Sequence, residues 1–350
     1  MPLFTSPPTS ICVVRLSAIG DVCNTIAAVQ AIQHHWPETQ ITWITGKIEA
    51  QLLESIDNVE VIIFDKKLGW KGYTSVWQQL KGRKFDALLH MQYAIRASIV
   101  TLGIRAKYKL GFDKVRSQDG QHWFTNIKVP SPNTPHVLDG LMAFNPVLGV
   151  PNGDPKWLLS YPEPASLWAQ SHLLTDKRNL VIVPGASKAY KNWTTQGYVD
   201  VIHHADQLGW NIILAGSPSP AEQELAQSIL QSLKTPVTNL VGKSSLLEML
   251  ALLDHCDLVV APDTGPIHMA NAMNTPVIGL YAHHNPARTG PYVYQHYVVS
   301  VWAKEIEKQT GKSPSQLPWR SRVKDDNAMA NLRSVDVIDM FNRVCREQKL

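Results

Sequence analysis

The sequence predicts an α/β protein with two doubly wound, parallel-sheet domains. Short apolar runs typical of buried strands alternate with helical patterns twice along the chain, first from Ile11 and again from Leu180. The 350 residues exceed what one hydrophobic core usually holds. A proline-rich stretch over residues 151–165 separates the two alternations. We therefore expect two Rossmann-like domains facing each other across a ligand-binding cleft.

In the first alternation, a strand over residues 11–16 and a Gly-containing turn precede a helix predicted for residues 22–35. Strands and helices then alternate over residues 41–45, 48–55, 59–65, 73–81, 87–91 and 95–102. The charged segment over residues 110–135 breaks this rhythm and is predicted to be loop. A helix over residues 136–148 precedes the proline-rich stretch.

The second alternation has the same size and pattern as the first. Helices are predicted over residues 195–208, 219–233 and 245–256, and strands over residues 180–183, 211–215, 237–241, 258–261 and 276–281. Residues 301–333 are polar and have no assignable role. Residues 334–348 have the pattern of a closing amphipathic helix.

The composition narrows the class of protein. Hydrophobic residues make up 44% of the chain and charged residues 18%, as in ordinary globular proteins. A net charge of +4 permits an anionic partner but lacks the basic signature of a nucleic-acid binder. Four cysteines without metal-ligand spacing indicate a reducing compartment. Without a signal peptide or a membrane-spanning apolar run, we expect a cytoplasmic protein with at most peripheral membrane contact.

The most informative stretch begins where the strand predicted over residues 258–261 ends. Asp263, Thr264 and Gly265 are candidate caps of a short helix, and Pro266 suits its first position. A strand that enters a helix through such a turn directs unpaired N–H groups and the positive helix end at one point, which suits a phosphate. His268 follows in the first turn. For the first four residues alone, a well-capped turn is the simpler interpretation.

Several common nucleotide motifs are absent. No Gly-x-Gly-x-x-Gly follows either first strand, which argues against an ordinary NAD-binding domain. Gly242-Lys243-Ser244 lacks the upstream glycine of a P-loop. An Asp-x-Asp metal–diphosphate motif is also missing. Without a bound metal ion, an enzyme that releases a diphosphate needs helix N-termini and cationic side chains to neutralise its charge.

The motifs around Asp263 carry a family resemblance. Asp-Thr-Gly-Pro-x-His-x-Ala, then Pro-Val-Ile-x-Leu-Tyr, then Asn-Pro-x-Arg-Thr-Gly-Pro-Tyr resembles the sugar-nucleotide signature of glycosyltransferase family 9, the lipopolysaccharide heptosyltransferases. The resemblance implies a GT-B architecture with domains over residues 1–160 and 161–333, and a last helix over residues 334–350 that crosses back to the N-terminal domain. In the loop after Tyr281, this chain has Ala-His-His where the family commonly has a small Gly-Pro turn.

The resemblance implies a catalytic role for Asp21. It matches the Gly-Asp of the family's N-terminal motif, in which the aspartate is the proposed general base for the acceptor hydroxyl. The alternative is that Asp21 only caps the helix predicted to begin at Val22.

The donor site is predicted from the second alternation. The loop Pro184–Trp193 resembles the family's second polar loop, which makes Lys191 the favoured phosphate or sugar contact, with Lys188 next and Ser187 beside them. The resemblance places a ribose-binding carboxylate near here, which makes Glu222 the candidate for the ribose hydroxyls, with Glu224 as its rival. Asp263 is expected to hold the loop or meet a sugar hydroxyl, because direct contact with a diphosphate would be repulsive.

The resemblance implies an inverting, metal-independent heptosyltransferase without a cofactor. Its donor would be ADP-heptose and its acceptor a Kdo or heptose sugar of the anionic, lipid-linked inner core, at the cytoplasmic face of the inner membrane. Arg96, Arg116 and His122 are candidate acceptor contacts. A nucleotide-sugar epimerase of the same architecture and a non-catalytic nucleotide-binding module are the alternatives.

Overall fold

The structure, a computed structural model, describes all 350 residues. Its internal contacts divide the chain into two compact units, residues 1–160 and 161–350. Each unit contains one six-stranded sheet, and every strand pairing in both sheets is parallel. The predicted fold class is confirmed.

The first unit has the strand order β3-β2-β1-β4-β5-β6, the order of a dinucleotide-binding Rossmann sheet. Its strands are β1 (Ser10–Val14), β2 (Gln40–Gly46), β3 (Val59–Phe64), β4 (Phe85–His90), β5 (Ala106–Phe112) and β6 (Ile127–Val129). Its helices are α1 (Ile19–His35), α2 (Ala50–Leu53), α3 (Trp70–Gln79), α4 (Ile95–Val100), α5 (Val137–Met142) and α6 (Phe144–Leu148). The central strand β1 is buried on both faces, which explains its unbroken apolar run.

The second unit repeats this topology in the order β12-β11-β10-β7-β8-β9. Its strands are β7 (Asn179–Ile182), β8 (Asn211–Leu214), β9 (Thr238–Asn239), β10 (Leu258–Pro262), β11 (Val277–Tyr281) and β12 (Val298–Ser300). Its helices are α7 (Glu163–Gln170), α8 (Thr195–Gln207), α9 (Pro220–Gln231), α10 (Leu246–His255), α11 (Gly265–Ala272), α12 (Pro286–Thr289), α13 (Trp302–Thr310) and α14 (Ser334–Gln348).

Several segments differ from the sequence prediction, and two of them are charged or polar regions. The region expected to be loop over residues 110–135 contains the end of β5 and all of β6, which pair in register from Leu110 with Ile127 to Phe112 with Val129. These outer strands are only partly buried, so their lysines conceal the apolar signal that identifies central strands. In the polar region over residues 301–333, α13 buries Trp302 and Ile306 on one face.

Helix α14 closes the second unit. Its bounds agree with the predicted amphipathic helix, and it packs on α8 and along β11 and β12. Phe341 is fully buried and meets the Trp210 ring at a centroid distance of 5.1 Å. The crossing of this helix back to the N-terminal domain stays a prediction.

Candidate functional site

The second unit brings two predicted donor-site loops together at the centre of its sheet. Strands β7 and β10 are neighbours at the point where the strand order reverses, although their register partners Ile182 and Val260 lie 78 positions apart in the sequence. Ligands of open parallel sheets bind at this reversal, outside the carboxyl ends of the strands. Lys191 follows β7, and Asp263 follows β10.

Asp263 forms the centre of a charged cluster at this edge. Its Oδ2 atom lies 2.7 Å from Lys191 Nζ and 2.6 Å from His284 Nδ1. The Lys191 ammonium also donates to the backbone carbonyl of Asp263, at 3.2 Å. The three side chains are each mostly buried, with 14–18% of their surface exposed. Two donors therefore share one carboxylate oxygen.

The charge state of Asp263 follows from this cluster. Burial on its own would raise the pKa of the carboxyl group, but the His284 hydrogen bond and the nearby Lys191 charge outweigh burial and hold the pKa below its usual range. The carboxylate is therefore ionised and can only accept hydrogen bonds.

The N-terminus of α11 lies directly beside Asp263. Thr264 is the N-cap residue in extended conformation, yet its side chain makes no capping hydrogen bond. Gly265 takes the first helical position and Pro266 the second, one place later than the sequence suggested for the proline. The first N–H groups of a helix have no partner within it, so this end presents donors and a partial positive charge. His268, one turn into the helix, is 8% exposed.

His284 lies in the loop after β11. A later segment of the chain, whose role the sequence did not reveal, holds this loop in place. His284 forms an isolated antiparallel bridge with Arg322. The Val323 N–H donates to the His283 carbonyl at 3.0 Å, and the His283 ring stacks edge-on to Tyr190 with centroids 4.6 Å apart. Arg322 and Val323 thus brace the loop that carries His283 and His284.

The remaining donor-site candidates fall into two groups. Ser187 and Lys188 are exposed on the loop after β7. Neither side chain forms a hydrogen bond or an ion pair with Asp263. Glu222 is buried in the first turn of α9, where its oxygens accept from the Ser217 N–H at 2.8 Å and the Ser217 hydroxyl at 2.6 Å. Glu224, its rival, is exposed.

Close packing explains why the sequence has glycine beside Glu222. A Cβ atom at Gly185 would lie 2.3 Å from Glu222 Cγ, and one at Gly216 would lie 2.7 Å from Glu222 Oε2. Gly185 and Gly216 follow the neighbouring strands β7 and β8. The Glu222 carboxylate is therefore held at the same carboxyl edge as Lys191 and Asp263.

In the first unit, Asp21 lies at the matching place, after the central strand β1. Helix α1 begins at Ile19, so Asp21 belongs to its first turn and is not the N-cap residue. Its Oδ2 atom forms an ion pair of 2.5 Å with Arg15 Nη2 and accepts a longer bond of 3.4 Å from the Ala18 N–H. The Asp21 side chain remains 40% exposed. It therefore supports the helix start and is open to solvent.

Arg15 is a functional candidate that the sequence analysis missed. The side chain is 6% exposed, and its Nη1 atom donates to the Met91 carbonyl at 2.6 Å while Nη2 holds Asp21. Met91 follows β4, the neighbour of β1 at the strand-order reversal. Arg15 follows β1 directly and lies within the apolar run of residues 11–16. An arginine buried in such a run requires a partner, and that requirement was the available signal.

The predicted acceptor residues have different environments. Arg96 and His122 are exposed. Arg116 is buried, and its guanidinium donates to the carbonyls of His136 at 2.9 Å and Thr134 at 2.7 Å. These contacts favour a structural role for Arg116 at the start of α5.

A basic and aromatic segment lies at the same sheet edge, after β3. All six residues from Lys66 to Lys71 are exposed, and among them are three lysines together with Leu68 and Trp70, which are 52% and 63% exposed. The Trp70 ring packs on Tyr73 and Trp77 with centroids 5.4 and 5.6 Å apart. We call residues 66–71 the basic–aromatic segment.

No group of three or more His, Cys, Asp or Glu side chains in the structure has an arrangement that would hold a metal ion. Of the four cysteines, Cys12, Cys23 and Cys256 are buried. None of the helices combines the length and apolar composition needed to cross a bilayer.

Comparisons with known proteins identify the family of this chain. The family model of glycosyltransferase family 9 (heptosyltransferase) matches residues 73–319, which include Lys191, Glu222 and Asp263. The chain belongs to this family. It is therefore a glycosyltransferase.

One curated relative and two solved structures extend the match over the whole chain. The lipopolysaccharide core heptosyltransferase OpsX of Haemophilus influenzae is 46% identical over 344 residues, which cover 98% of this chain and 99% of the relative. A family 9 glycosyltransferase from Veillonella parvula superposes with a TM-score of 0.79 at 22% identity, covering 99% of both chains. The E. coli heptosyltransferase WaaC with ADP gives a TM-score of 0.73 at 20% identity, covering 95% of this chain and 99% of that one. The two structures show that this family 9 chain has their GT-B fold.

Proposed function

We propose that this glycosyltransferase moves heptose from ADP-heptose to an inner-core sugar of lipopolysaccharide, either Kdo or a first heptose. The observation that carries the proposal is the 46% identity, over nearly the full length of both chains, to a lipopolysaccharide core heptosyltransferase. The polar cluster at the carboxyl edge of the second sheet supports it, because its chemistry suits a sugar diphosphate.

In this proposal, the second unit binds the donor. The diphosphate is held by the N–H groups of α11, the Thr264 hydroxyl and Lys191, with Ser187, Lys188 and His268 as further contacts. Glu222 accepts hydrogen bonds from the ribose hydroxyls, for which its carboxylate has lone pairs left beyond the two bonds to Ser217. Asp263 meets a hydroxyl of the heptose.

Asp21 is the proposed general base. The acceptor hydroxyl oxygen attacks the anomeric carbon of the heptose, and its proton passes to an Asp21 carboxylate oxygen. The bond between the anomeric carbon and the diphosphate oxygen breaks, and ADP leaves with the electron pair. A single displacement of this kind inverts the anomeric centre. The exposure of Asp21 supports the role, because a base must be reachable by the hydroxyl it deprotonates.

The departing diphosphate gains negative charge as this bond breaks. Lys191 and the positive end of α11 are the groups that we propose to stabilise it, in place of a divalent cation. Preorganised charges at such a position cost no reorganisation during the reaction.

The proposed acceptor is an anionic saccharide linked to lipid, met at the cytoplasmic face of the inner membrane. Arg96 and His122 are exposed and suit the anionic sugar. The basic–aromatic segment supports a peripheral membrane contact, because lysines attract anionic headgroups and exposed tryptophan favours the interfacial zone. It leaves the same edge of the sheet as Asp21.

The test is an incubation of the purified protein with ADP-heptose and a panel of truncated core acceptors, followed by mass spectrometry of the products. We expect an acceptor that ends in Kdo or in one heptose to gain one heptose unit, with release of ADP. UDP-sugars are the matched controls and should give no product. Consumption of the donor without any acceptor would contradict transfer and indicate an epimerase, and transfer from UDP-sugars alone would contradict the donor assignment.

A further inference from the structure

We propose that His284 is a positioning residue of the donor site, which holds the Asp263 carboxylate so that its Oδ1 atom meets a hydroxyl of the donor sugar. This inference rests on the proposed function, in which the second unit binds a sugar nucleotide. It assigns a role to the loop after β11, where this chain has two histidines.

The hydrogen-bond chemistry fixes the tautomer of His284. The Asp263 carboxylate is ionised and offers only acceptor atoms, so the proton between Asp263 Oδ2 and His284 Nδ1 belongs to the histidine. His284 therefore donates through Nδ1 at 2.6 Å. The opposite nitrogen, Nε2, makes no hydrogen bond within the chain.

The same geometry distinguishes the two oxygens of Asp263. Oδ2 accepts from both His284 Nδ1 and Lys191 Nζ, whereas Oδ1 accepts from no group in the structure. A carboxylate oxygen with unused lone pairs, placed beside the N-terminus of α11, is suited to accept from a sugar hydroxyl. His284 and Lys191 both contact the Oδ2 atom and together fix the plane of the carboxylate. Without His284, only Lys191 would hold it, and the carboxylate could rotate about Cβ–Cγ and move Oδ1 away from this position.

His284 also gives the Asp263 carboxylate a second hydrogen-bond donor, so the carboxylate does not depend on Lys191 alone. A lysine ammonium has three donors, and in this structure two of them go to Asp263, one to the side chain and one to the backbone carbonyl. A diphosphate nearby would draw the ammonium towards itself. The carboxylate then keeps one hydrogen bond, that of His284, and is not left buried without a partner.

The backbone of His284 is held firmly enough for this role. Its antiparallel bridge to Arg322 and the bonds between His283 and Val323 fix the loop on both sides of the peptide chain. The charged groups around the imidazole are Asp263 from the end of β10, Lys191 through that carboxylate and Arg322 through the bridge.

The inference separates the sugar from the nucleotide in a binding measurement. We expect His284→Leu, which keeps the volume but removes the donor, to weaken binding of ADP-heptose about threefold to tenfold in the absence of acceptor, no more than the loss of the Asp263 carboxylate itself. Binding of ADP, which lacks the sugar, should change by less than about twofold. His284→Asn restores an N–H donor near the position of Nδ1, so it should recover most of the ADP-heptose affinity.

Titration calorimetry with ADP and with ADP-heptose on the full-length protein measures both affinities, and unchanged ADP binding shows that the variant is folded. His203→Ala, an exposed histidine on α8, is the control and should leave both affinities unchanged. Equal losses for ADP and ADP-heptose in His284→Leu, no loss for either, or a failure of His284→Asn to improve on leucine would overturn the role of His284. A wild-type protein that binds ADP-heptose no more tightly than ADP would instead overturn the proposed donor.

Discussion

Asp21 in the first unit and Asp263 in the second occupy equivalent places and have different surroundings. Each follows a central strand, β1 or β10, at the reversal of the strand order, beside the start of a helix. Asp21 has one cationic partner, Arg15, and is 40% exposed, whereas Asp263 has two partners on one oxygen and is 14% exposed. The burial and the pairing of a carboxylate decide whether it can exchange a proton or only bind. This difference supports the proposed roles, in which Asp21 is the general base and Asp263 binds the donor sugar.

The largest expected effect is that of Asp21→Asn. The amide keeps the size of the side chain but cannot accept the proton of an acceptor hydroxyl, so kcat should fall about a hundredfold to ten-thousandfold. Steady-state assays with ADP-heptose and the preferred acceptor measure the loss. Asp57→Asn, an exposed carboxylate in the same unit, is the control and should keep wild-type turnover. If Asp21→Asn turned over within a few fold of wild type, Asp21 would be only a helix-start residue.

Lys191→Met should have the next largest effect, on binding. The variant removes the buried ammonium that contacts Asp263, and with it the charge-assisted contact that we propose to the diphosphate, so ADP affinity should fall about tenfold to a hundredfold. Calorimetric titration with ADP gives the affinity. Unchanged ADP binding would mean that Lys191 serves only Asp263.

Arg15→Lys tests how Asp21 is held. Lysine keeps the charge but lacks the planar fork that reaches Asp21 and the Met91 carbonyl together, so kcat should fall about threefold to tenfold while the KM for donor stays the same. Initial-rate measurements over a range of donor concentrations separate the two constants. A change confined to the donor KM would contradict the role of Arg15 in orienting the base.

Acid unfolding tests how much the ionised Asp263 carboxylate contributes to the stability of the fold. The pKa of Asp263 in the folded protein lies below its ordinary value of 3.8, so its contribution is complete above that pH and is lost as the pH falls towards the folded pKa. At neutral pH, Asp263→Asn should lower the free energy of unfolding by about 1–3 kcal/mol. Below about pH 4, the difference from wild type should shrink.

Urea unfolding at a series of pH values measures this difference. Glu224→Gln, which removes an exposed carboxylate on α9, should follow the wild-type curve. A difference between wild type and Asp263→Asn that stays constant down to pH 3 would show that the ionised carboxylate adds nothing to stability.

The smallest effect is expected for Lys188→Met. Lys188 is exposed, and its side chain makes no contact in the structure, so it can add only a flexible charge near the diphosphate. ADP affinity should fall about twofold to fivefold, well short of the effect at Lys191. A loss equal to that of Lys191→Met would place both lysines on the phosphates.

The sequence predicts the central strands, the short helix α11 and the Asp263 turn well because each has a local signal. Buried strands such as β1 and β10 are continuous apolar runs, and the Asp-Thr-Gly-Pro turn contains its own helix-start chemistry. The end of β5 and all of β6 were wrongly predicted as loop, because partly exposed outer strands lack that continuous signal.

The contacts that define the site are not local, and for that reason the sequence did not reveal them. Lys191 reaches Asp263 across 72 residues, and Val323 contacts His283 across 40. Arg322 pairs with His284 in the same place. Arg15, which follows β1, pairs with Asp21 in the first turn of α1. The apolar pattern had assigned position 15 to the buried strand, so it gave no sign of this pair. Such pairs depend on which strands become neighbours, and apolar periodicity does not specify that order.

The most direct test compares the single-turnover rate constant at saturating donor with the affinity for ADP-heptose, in Asp21→Asn and in Asp263→Asn. If the two carboxylates have separate roles, the two variants should show opposite patterns. Asp21→Asn should bind ADP-heptose like wild type but transfer the sugar at least about a hundredfold more slowly. Asp263→Asn should bind the donor about tenfold more weakly and lose less of the rate constant at saturating donor. The account would be contradicted if Asp21→Asn lost donor affinity at an unchanged rate constant, or if both variants lost rate and affinity in the same proportion.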